Sequence, residues 1–188
     1  MKSKILLPVL TGIIIIASSC KKSFTVEEKK GTVKITFKNT VKGNPIILNT
    51  EVYTNSFLEQ YNISKFKYYI SNVAVAGTNN RKPETESYHL VDESNATSLS
   101  FTYPVAIGNY NTVSFVLGVD SLRNVSGAQP GALDPTNDMF WTWNSGYVMA
   151  KLEGTSPQST AVNNKIEYHI GGFKGNDNVL KNLTLNFP

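Results

Sequence analysis

Residues 66–75 read FKYYISNVAV and carry the pattern that decides the fold. Phe66, Tyr68 and Ile70 alternate with Lys67, Tyr69 and Ser71, as in a strand that turns one face to a core. Val73 and Val75 continue the apolar series with the opposite parity. This change predicts a β-bulge at that point of the strand.

Outward from this stretch, the chain shows more short strands separated by Gly, Pro, Asn and Ser clusters, without sustained helical periodicity. Only Ser56–Tyr61 favours a short helical turn. Many short strands and little helix predict an all-β protein, an immunoglobulin-like antiparallel β-sandwich. The predicted strands are Thr32–Lys38, Tyr88–Val91, Thr112–Val119, Tyr147–Glu153, Ile166–Ile170 and Leu180–Phe187.

One hairpin permits a prediction of register. If Met149 faces His169, then Lys151 faces Glu167 and Glu153 faces Lys165, so that two opposite-charge pairs form on one face. The other face then pairs apolar side chains, which a slip of one residue would destroy. We therefore expect His169 and Met149 side by side on the more polar face.

The N-terminus has the features of a secretory signal. Lys2 and Lys4 precede an apolar stretch that is too short to span a bilayer, and small residues lead into Cys20. This arrangement is similar to the lipobox of bacterial lipoproteins, in which the cysteine becomes the lipidated first residue. Cys20 is the only cysteine of the chain, so a disulfide or a cysteine-based metal site is excluded from the folded domain.

These features predict three segments and a location. Residues 1–19 are a lipoprotein signal peptide, residues 20–31 are lipidated Cys20 and a flexible tether, and residues 32–188 are one β-sandwich domain. We expect attachment through the lipid to the outer membrane of a bacterial cell envelope, on its periplasmic or its surface face.

The charge argues against a nucleic-acid partner. The 188 residues contain 18 Lys and Arg against 14 Asp and Glu, and the signal peptide takes Lys2 and Lys4 with it. The remaining surplus of basic residues is too small for an electrostatic footprint on nucleic acid.

The segment from Asp120 to Gly146 is the best candidate for a functional loop. It is long and irregular, and it holds both tryptophans, Trp141 and Trp143. Binding residues are commonly carried on loops that a rigid scaffold positions. A purely structural role, in which the tryptophans plug one end of the sandwich, explains the same residues.

The chain also resembles a known family. The segments that carry the resemblance are 124–131, 133–135, 139–143, 146–147, 153–154 and 168–172, with 69–73 and 88–92 upstream, and Trp-x-Trp-x-x-Gly-Tyr at 141–147 is the most specific. They resemble the MbnP-like domain of bacterial periplasmic lipoproteins. The resemblance implies copper handling, and in some members a di-haem peroxidase partner oxidises a tryptophan to kynurenine, which forms a copper site with histidines. Either Trp141 or Trp143 would then be the oxidised residue.

The residues offer few ligands for such a copper site. The imidazoles of His89 and His169 suit Cu(I) and Cu(II), and the thioether of Met149 suits Cu(I). A two-histidine site within one molecule must use both histidines. The hairpin register supports His169 with Met149, whereas His89 joins them only through the family resemblance. Each of the three residues has an ordinary structural role as its alternative.

A calcium site is the weaker metal prediction. Asp134, Asn137 and Asp138, with Asp120 and Asn124 upstream, supply the oxygen ligands that Ca²⁺ prefers. The spacing is not that of an EF-hand loop, and turn formation explains the same residues equally well.

No catalytic motif is present. The chain contains no Gly-x-Ser-x-Gly elbow, no His-Glu-x-x-His helix, no phosphate-binding loop and no dinucleotide fingerprint. We therefore expect a non-enzymatic protein that binds copper for acquisition or storage. The alternative is a surface module that binds a glycan or a protein partner through its Trp and Tyr side chains.

Overall fold

The computed structural model describes residues 29–141, 143 and 146–187. The strands of this part are β1 (Lys30–Thr36), β2 (Thr40–Val41), β3 (Asn44–Pro45), β4 (Tyr53–Thr54), β5 (Gln60–Tyr61), β6 (Lys65–Ala76), β7 (Arg81–Pro83), β8 (Tyr88–Asp92), β9 (Ser100–Ala106), β10 (Thr112–Leu117), β11 (Phe140–Trp141), β12 (Gly146–Thr155), β13 (Lys165–Gly171) and β14 (Lys181–Asn186). The helices are the single turn α1 (Ser121–Asn124) and the 3₁₀ turns Ala96–Leu99, Gly131–Leu133, Pro135–Asn137, Val162–Asn164 and Gly175–Asp177.

The predicted signal peptide, Cys20 and the tether up to residue 28 lie outside the described residues. Within the described residues, no helix is both long and apolar enough to cross a membrane.

Strand β6 is the centre of the large sheet, and it contains the predicted bulge. Asn72 has a φ of 54°, and the pairing of β6 with β10 shifts by one residue next to it. As a result Ile70 and Val73 point into the same core although their parity differs. The parity change read from the sequence is confirmed.

The large sheet consists of four rows, three of which are interrupted. Strands β12 and β10 pair with successive parts of one edge of β6, while β8 and β7 pair with successive parts of its other edge. Strand β13 extends the sheet beyond β12, and β14 extends it beyond β10. The rows are therefore β7 with β8, then β6 alone, then β10 with β12, and finally β13 with β14, and the two-residue strand β11 pairs with the start of β12.

The small sheet of β1 and β9 covers one face of the large sheet, which makes the fold an all-β sandwich. Their apolar side chains pack on those of β6 and β10, and burying each one contributes roughly 1.5–3 kcal/mol. The buried members of this first core are Tyr68, Ile70, Val73, Val75, Val91, Tyr103, Val105 and Phe115.

The segment between β10 and β12 covers the opposite face. Tyr69 of β6 points into a second core with Met139 and Tyr147, and its hydroxyl donates to the carbonyl of Ala132 at 3.0 Å. The hydroxyl of Tyr147 donates to the carbonyl of Leu133 at 2.9 Å. The loop predicted from its composition is therefore a packed layer of the domain.

Two local predictions are wrong. Strand β13 is shifted by two residues, so that His169 faces Lys151 and not Met149. A slip of two preserves the face of every side chain, and Met149 itself is the extra residue of a bulge between Val148 and Ala150. Residues 56–59 lie in the turn of the hairpin between β4 and β5, and Gln60 and Tyr61 form β5, so the predicted helical turn over Ser56–Tyr61 is absent.

Candidate functional site

Two excursions of the chain leave the large sheet at the same level and form a cleft between them. The first joins β10 to β12, and the second joins β13 to β14. They lie side by side because Leu117, at the end of β10, pairs with Lys181, at the start of β14. The cleft, here called the Trp141 cleft, has a volume of about 590 Å³ and is lined by Asn124, Trp141, Gly146, Tyr147, Gly171, Gly172, Phe173, Lys174 and Asp177.

Glycines form the floor of the Trp141 cleft because Trp141 approaches the backbone closely. A Cβ atom added to Gly171 would overlap Cζ3 and Cη2 of Trp141. Gly172 has a φ of 119°, a conformation that residues with a Cβ rarely adopt. Gly171 therefore allows the half-buried indole of Trp141 to lie on the end of β13, while Gly172 allows the backbone carbonyl of Asp177 to approach the chain closely.

The second tryptophan extends the aromatic surface outward. The ring centroids of Trp141 and Trp143 are 5.8 Å apart with an interplanar angle of 45°, and Trp143 is 78% exposed. An exposed indole beside a half-buried one can contact a ligand or partner with its face.

Asn124 fastens the start of the loop to β12. It is buried, and its side-chain oxygen accepts a hydrogen bond from the backbone N–H of Tyr147 at 3.0 Å. Its side-chain nitrogen donates to the carbonyls of Val119 and Asp120. These bonds connect the two ends of the loop to each other.

A network of charges fastens the end of the loop to the sheet. Asp138 Oδ2 lies 2.9 Å from Nζ of Lys151 and 3.1 Å from Nζ of Lys65. Lys65 also binds Glu153 Oε2 at 3.1 Å, and the other carboxylate oxygen of Glu153 lies 2.8 Å from Nε2 of His169. The side chain of Lys151 is only 4% exposed, and Asp138 and Glu153 are the carboxylates within 4 Å of its ammonium group among the described residues.

The same contacts lower the pKa of both carboxyl groups. Burial favours the neutral form of Glu153, but hydrogen bonds from His169 and Lys65 outweigh burial and lower its pKa. Burial likewise opposes ionisation of Asp138, and Lys151 and Lys65 outweigh it there. Both groups are therefore ionised at neutral pH and hold the network together.

His169 and Trp141 occupy neighbouring places on one face of β13. Alternate residues of a strand share a face, so His169 lies on the same face as Gly171, on which Trp141 packs. His169 is thus the described histidine that lies beside the Trp141 cleft.

His89 lies on the opposite face of the large sheet. It pairs with Ile70 of β6, whereas His169 pairs with Lys151, which in turn pairs with Lys67 of β6. Paired residues share a face, and Ile70 and Lys67 differ in parity with no bulge between them. The two histidines consequently do not converge on one ion.

The surroundings of His89 are those of a structural residue. Its ring stacks on Phe101 with a centroid distance of 3.5 Å and an interplanar angle of 5°. Its Nε2 atom lies 2.7 Å from Oε2 of Glu84, which also accepts a hydrogen bond from Ser87 at 2.7 Å.

A family model matches the chain over residues 30–188, and its description is MbnP. The chain belongs to the MbnP family. Among solved structures, MbnP from Methylosinus trichosporium matches this fold with a TM-score of 0.61 and 14% sequence identity. The match covers 85% of this chain and 73% of that chain, and at this identity it shows the fold alone. No curated protein matches the sequence.

In this MbnP-family protein, Met149 is a core residue and does not lie beside either histidine. It is buried in the second core, and its sulfur accepts a hydrogen bond from the backbone N–H of Val119 at 3.1 Å. Within residues 29–141, 143 and 146–187, no group of three or more His, Cys, Asp or Glu side chains could hold a metal ion. Because His89 and His169 lie on opposite faces of the large sheet and Met149 is buried in the second core, these three residues do not form the predicted site.

The residues predicted as calcium ligands all have protein partners. Asp134 accepts from both the backbone N–H and the hydroxyl of Thr136, and Asn137 donates to the carbonyls of Gly131 and Ala132. Asp138 binds two lysines, which oppose a cation there. Farther upstream, Asp120 caps α1 through the N–H of Arg123. These contacts match the turn-forming role that the sequence left open.

The sequence did not reveal the roles of three site residues. Asn124 hydrogen-bonds the two ends of the loop to each other, Lys151 is a buried cation, and Gly171 forms the floor of the cleft. Asn124 looks like a turn residue, and Lys151 looks like an exposed partner of Glu167. The Gly-Gly pair directly after a strand was the available signal, because adjacent glycines often mark close approach of another group.

Proposed function

We propose that this MbnP-family protein is a non-catalytic, lipid-anchored protein of the bacterial cell envelope, which binds copper for acquisition or storage beside the Trp141 cleft. The proposal rests on family membership together with one observation. His169 lies on the same face of β13 as Gly171, the residue that Trp141 covers. His169 and the residue that Trp141 covers are thus two positions apart on one face of β13, although the histidine and the tryptophan are far apart in sequence.

The donors at this place are fewer than the sequence predicted. The imidazole of His169 and the carboxylate of Glu153 are already within hydrogen-bond distance, and nitrogen with oxygen donors suits Cu(II). Lys65 and Lys151 contact the same carboxylate and oppose a cation. We therefore expect weaker copper binding than at a site with several histidines, unless a further donor is added.

Oxidation of Trp141 would add such a donor. Of the two tryptophans, Trp141 is the one that packs on the floor of the cleft next to His169, while Trp143 is largely exposed. We assign Trp141 as the target of a di-haem peroxidase-type partner in the envelope.

The two histidines provide a matched test of the copper proposal. Protein purified from a copper-replete envelope is analysed for metal, with His169→Ala and His89→Ala in parallel and an intact mass to detect tryptophan oxidation. We expect copper to be lost in His169→Ala and kept in His89→Ala, and affinity to fall at low pH because a bound imidazole must be deprotonated. Wild-type protein without copper, or equal loss in both variants, contradicts the proposal.

A second candidate function is binding of a glycan or a protein partner, and the shape of the Trp141 cleft favours it. The cleft combines aromatic walls with Lys174 and Asp177, and the exposed Trp143 stands beside it. Such a binder should lose affinity in Trp143→Ala and be indifferent to His169→Ala. A glycan array with these two variants distinguishes it from the copper protein.

The lipid anchor is tested separately. The Cys20→Ala variant should leave the membrane fraction and appear in the soluble envelope fraction, while its folded domain keeps the same melting temperature. Retention of Cys20→Ala in the membrane would contradict anchoring through this residue.

A further inference from the structure

We propose that the free edge of β14 pairs with β14 of a second copy of this chain, so that two large sheets join into one. All six residues of β14 are exposed, and Leu183 and Leu185 are 39% and 53% exposed. Among the described residues, β14 pairs only with β10. Its outer edge thus offers unpaired backbone N–H and C=O groups beside apolar side chains.

The other outer strands carry features that block pairing, and β14 does not. Proteins protect sheet edges with charged residues, prolines or very short strands. Strand β7 has three residues, Arg-Lys-Pro, and β9 contains Pro104. Strand β1 contains Lys30 and Lys34, and the 3₁₀ turn Ala96–Leu99 packs on β8.

The contrast holds even within one row of the sheet. Strand β13, the other half of the row, carries Lys165 and Glu167. After Lys181, β14 reads Asn-Leu-Thr-Leu-Asn, without charge or proline. The charged residues that discourage pairing with another chain are therefore present along β13 and absent from β14 after Lys181.

The sequence of β14 is complementary to itself in the antiparallel direction. A twofold axis perpendicular to the sheet requires that facing residues have the same parity. Centring the axis on Thr184 satisfies this condition and gives the longest overlap. It pairs Leu183 with Leu185 of the second copy, Asn182 with Asn186, and Thr184 with itself.

This register is favourable on both faces. The leucine pairs form an apolar cross-strand contact, while the threonine and asparagine pairs can hydrogen-bond. Lys181 faces Phe187, so no like charges meet. The leucines lie on the face of the first core, since Leu183 pairs with Phe115 and Leu185 pairs with Val113.

An apolar groove lies beside Leu183, and a second copy that pairs with β14 would bury part of its surface. It has a volume of about 330 Å³, and Phe66, Tyr68, Phe115 and Leu183 are among the residues that line it. Leu185 of the second copy, placed beside Leu183, would lie at the rim of this groove and bury part of it.

Cross-linking tests the register directly. In lipidated full-length protein in detergent, Thr184→Cys should form a disulfide-linked dimer on oxidation, because facing residues have Cα atoms about 4.5–5.5 Å apart. Glu167→Cys, on the β13 half of the same row, is the matched control and should not cross-link. Cross-linking of Glu167→Cys alone, or of neither variant, overturns the proposal.

Sedimentation provides the second measurement. Thr184→Lys places two ammonium groups opposite each other on the axis and should raise the dimer dissociation constant at least about tenfold. Glu167→Lys should leave it unchanged, and equal melting temperatures show that both variants fold. A wild-type protein that stays monomeric at all concentrations also overturns the proposal.

Discussion

The loop that forms the Trp141 cleft should depend on Asn124 far more than on an ordinary surface asparagine. In Asn124→Ala, the carbonyl of Val119 and the N–H of Tyr147 lose their side-chain partner inside the protein. The carbonyl of Asp120 keeps a partner, because it still accepts from the backbone N–H of residue 124. Each orphaned buried group costs about 1–3 kcal/mol, so we expect a loss of about 2–6 kcal/mol in the free energy of unfolding.

Urea unfolding followed by circular dichroism measures this loss. Asn137→Ala is the matched control, because it removes two similar hydrogen bonds from the same loop at a half-buried position. Water can replace those bonds, so we expect a loss of about 1 kcal/mol or less. If Asn124→Ala costs no more than Asn137→Ala, the argument that Asn124 connects the ends of the loop is refuted.

Three other perturbations address the floor, the core and the charge network. Gly171→Ala should displace the indole of Trp141, shift tryptophan fluorescence to the red and cost about 1–3 kcal/mol, whereas Gly31→Ala meets open space and should change neither quantity. Met149→Ala should cost about 2–5 kcal/mol in urea unfolding, and Met149→Leu less than about 1.5 kcal/mol; equal losses would contradict a packing role. Because folding lowers the pKa of Asp138, its stabilisation is present above the unfolded pKa near 4 and is lost as the pH falls further. The melting temperature of Asp138→Asn should therefore depend less on pH below about 4 than that of the wild type, and parallel curves would refute this.

The strands and their inward faces follow from local patterns. In β6, alternation of period two marks the core face, and the change of parity marks the bulge at Asn72. Both signals reside in adjacent residues, so no partner strand is needed to read them.

The register of β12 and β13 does not follow from the same patterns. The observed register places Lys151 opposite His169 and Glu153 opposite Glu167, so the two predicted opposite-charge pairs do not form. Polar residues recur at every second position of both strands, so a shift by two still keeps them on the polar face. The bulge at Met149 turns its side chain into the second core, which the local pattern of the hairpin does not reveal. That core is built by a segment from elsewhere in the chain.

The sequence by itself determined the fold class, the family motif and the residues that can carry chemistry. Alternation, glycine pairs and tryptophans are properties of short stretches of neighbouring residues, so they can be recognised without knowledge of the fold. The tertiary structure decided which of them meet. It packs Trp141 on Gly171, two residues along the same face of β13 from His169, and it places His89 on the opposite face of the large sheet. The physical reason is that contacts between distant segments set the order of strands in a sheet. Those contacts also decide which residue pairs with which, and therefore to which face of the sheet each side chain points.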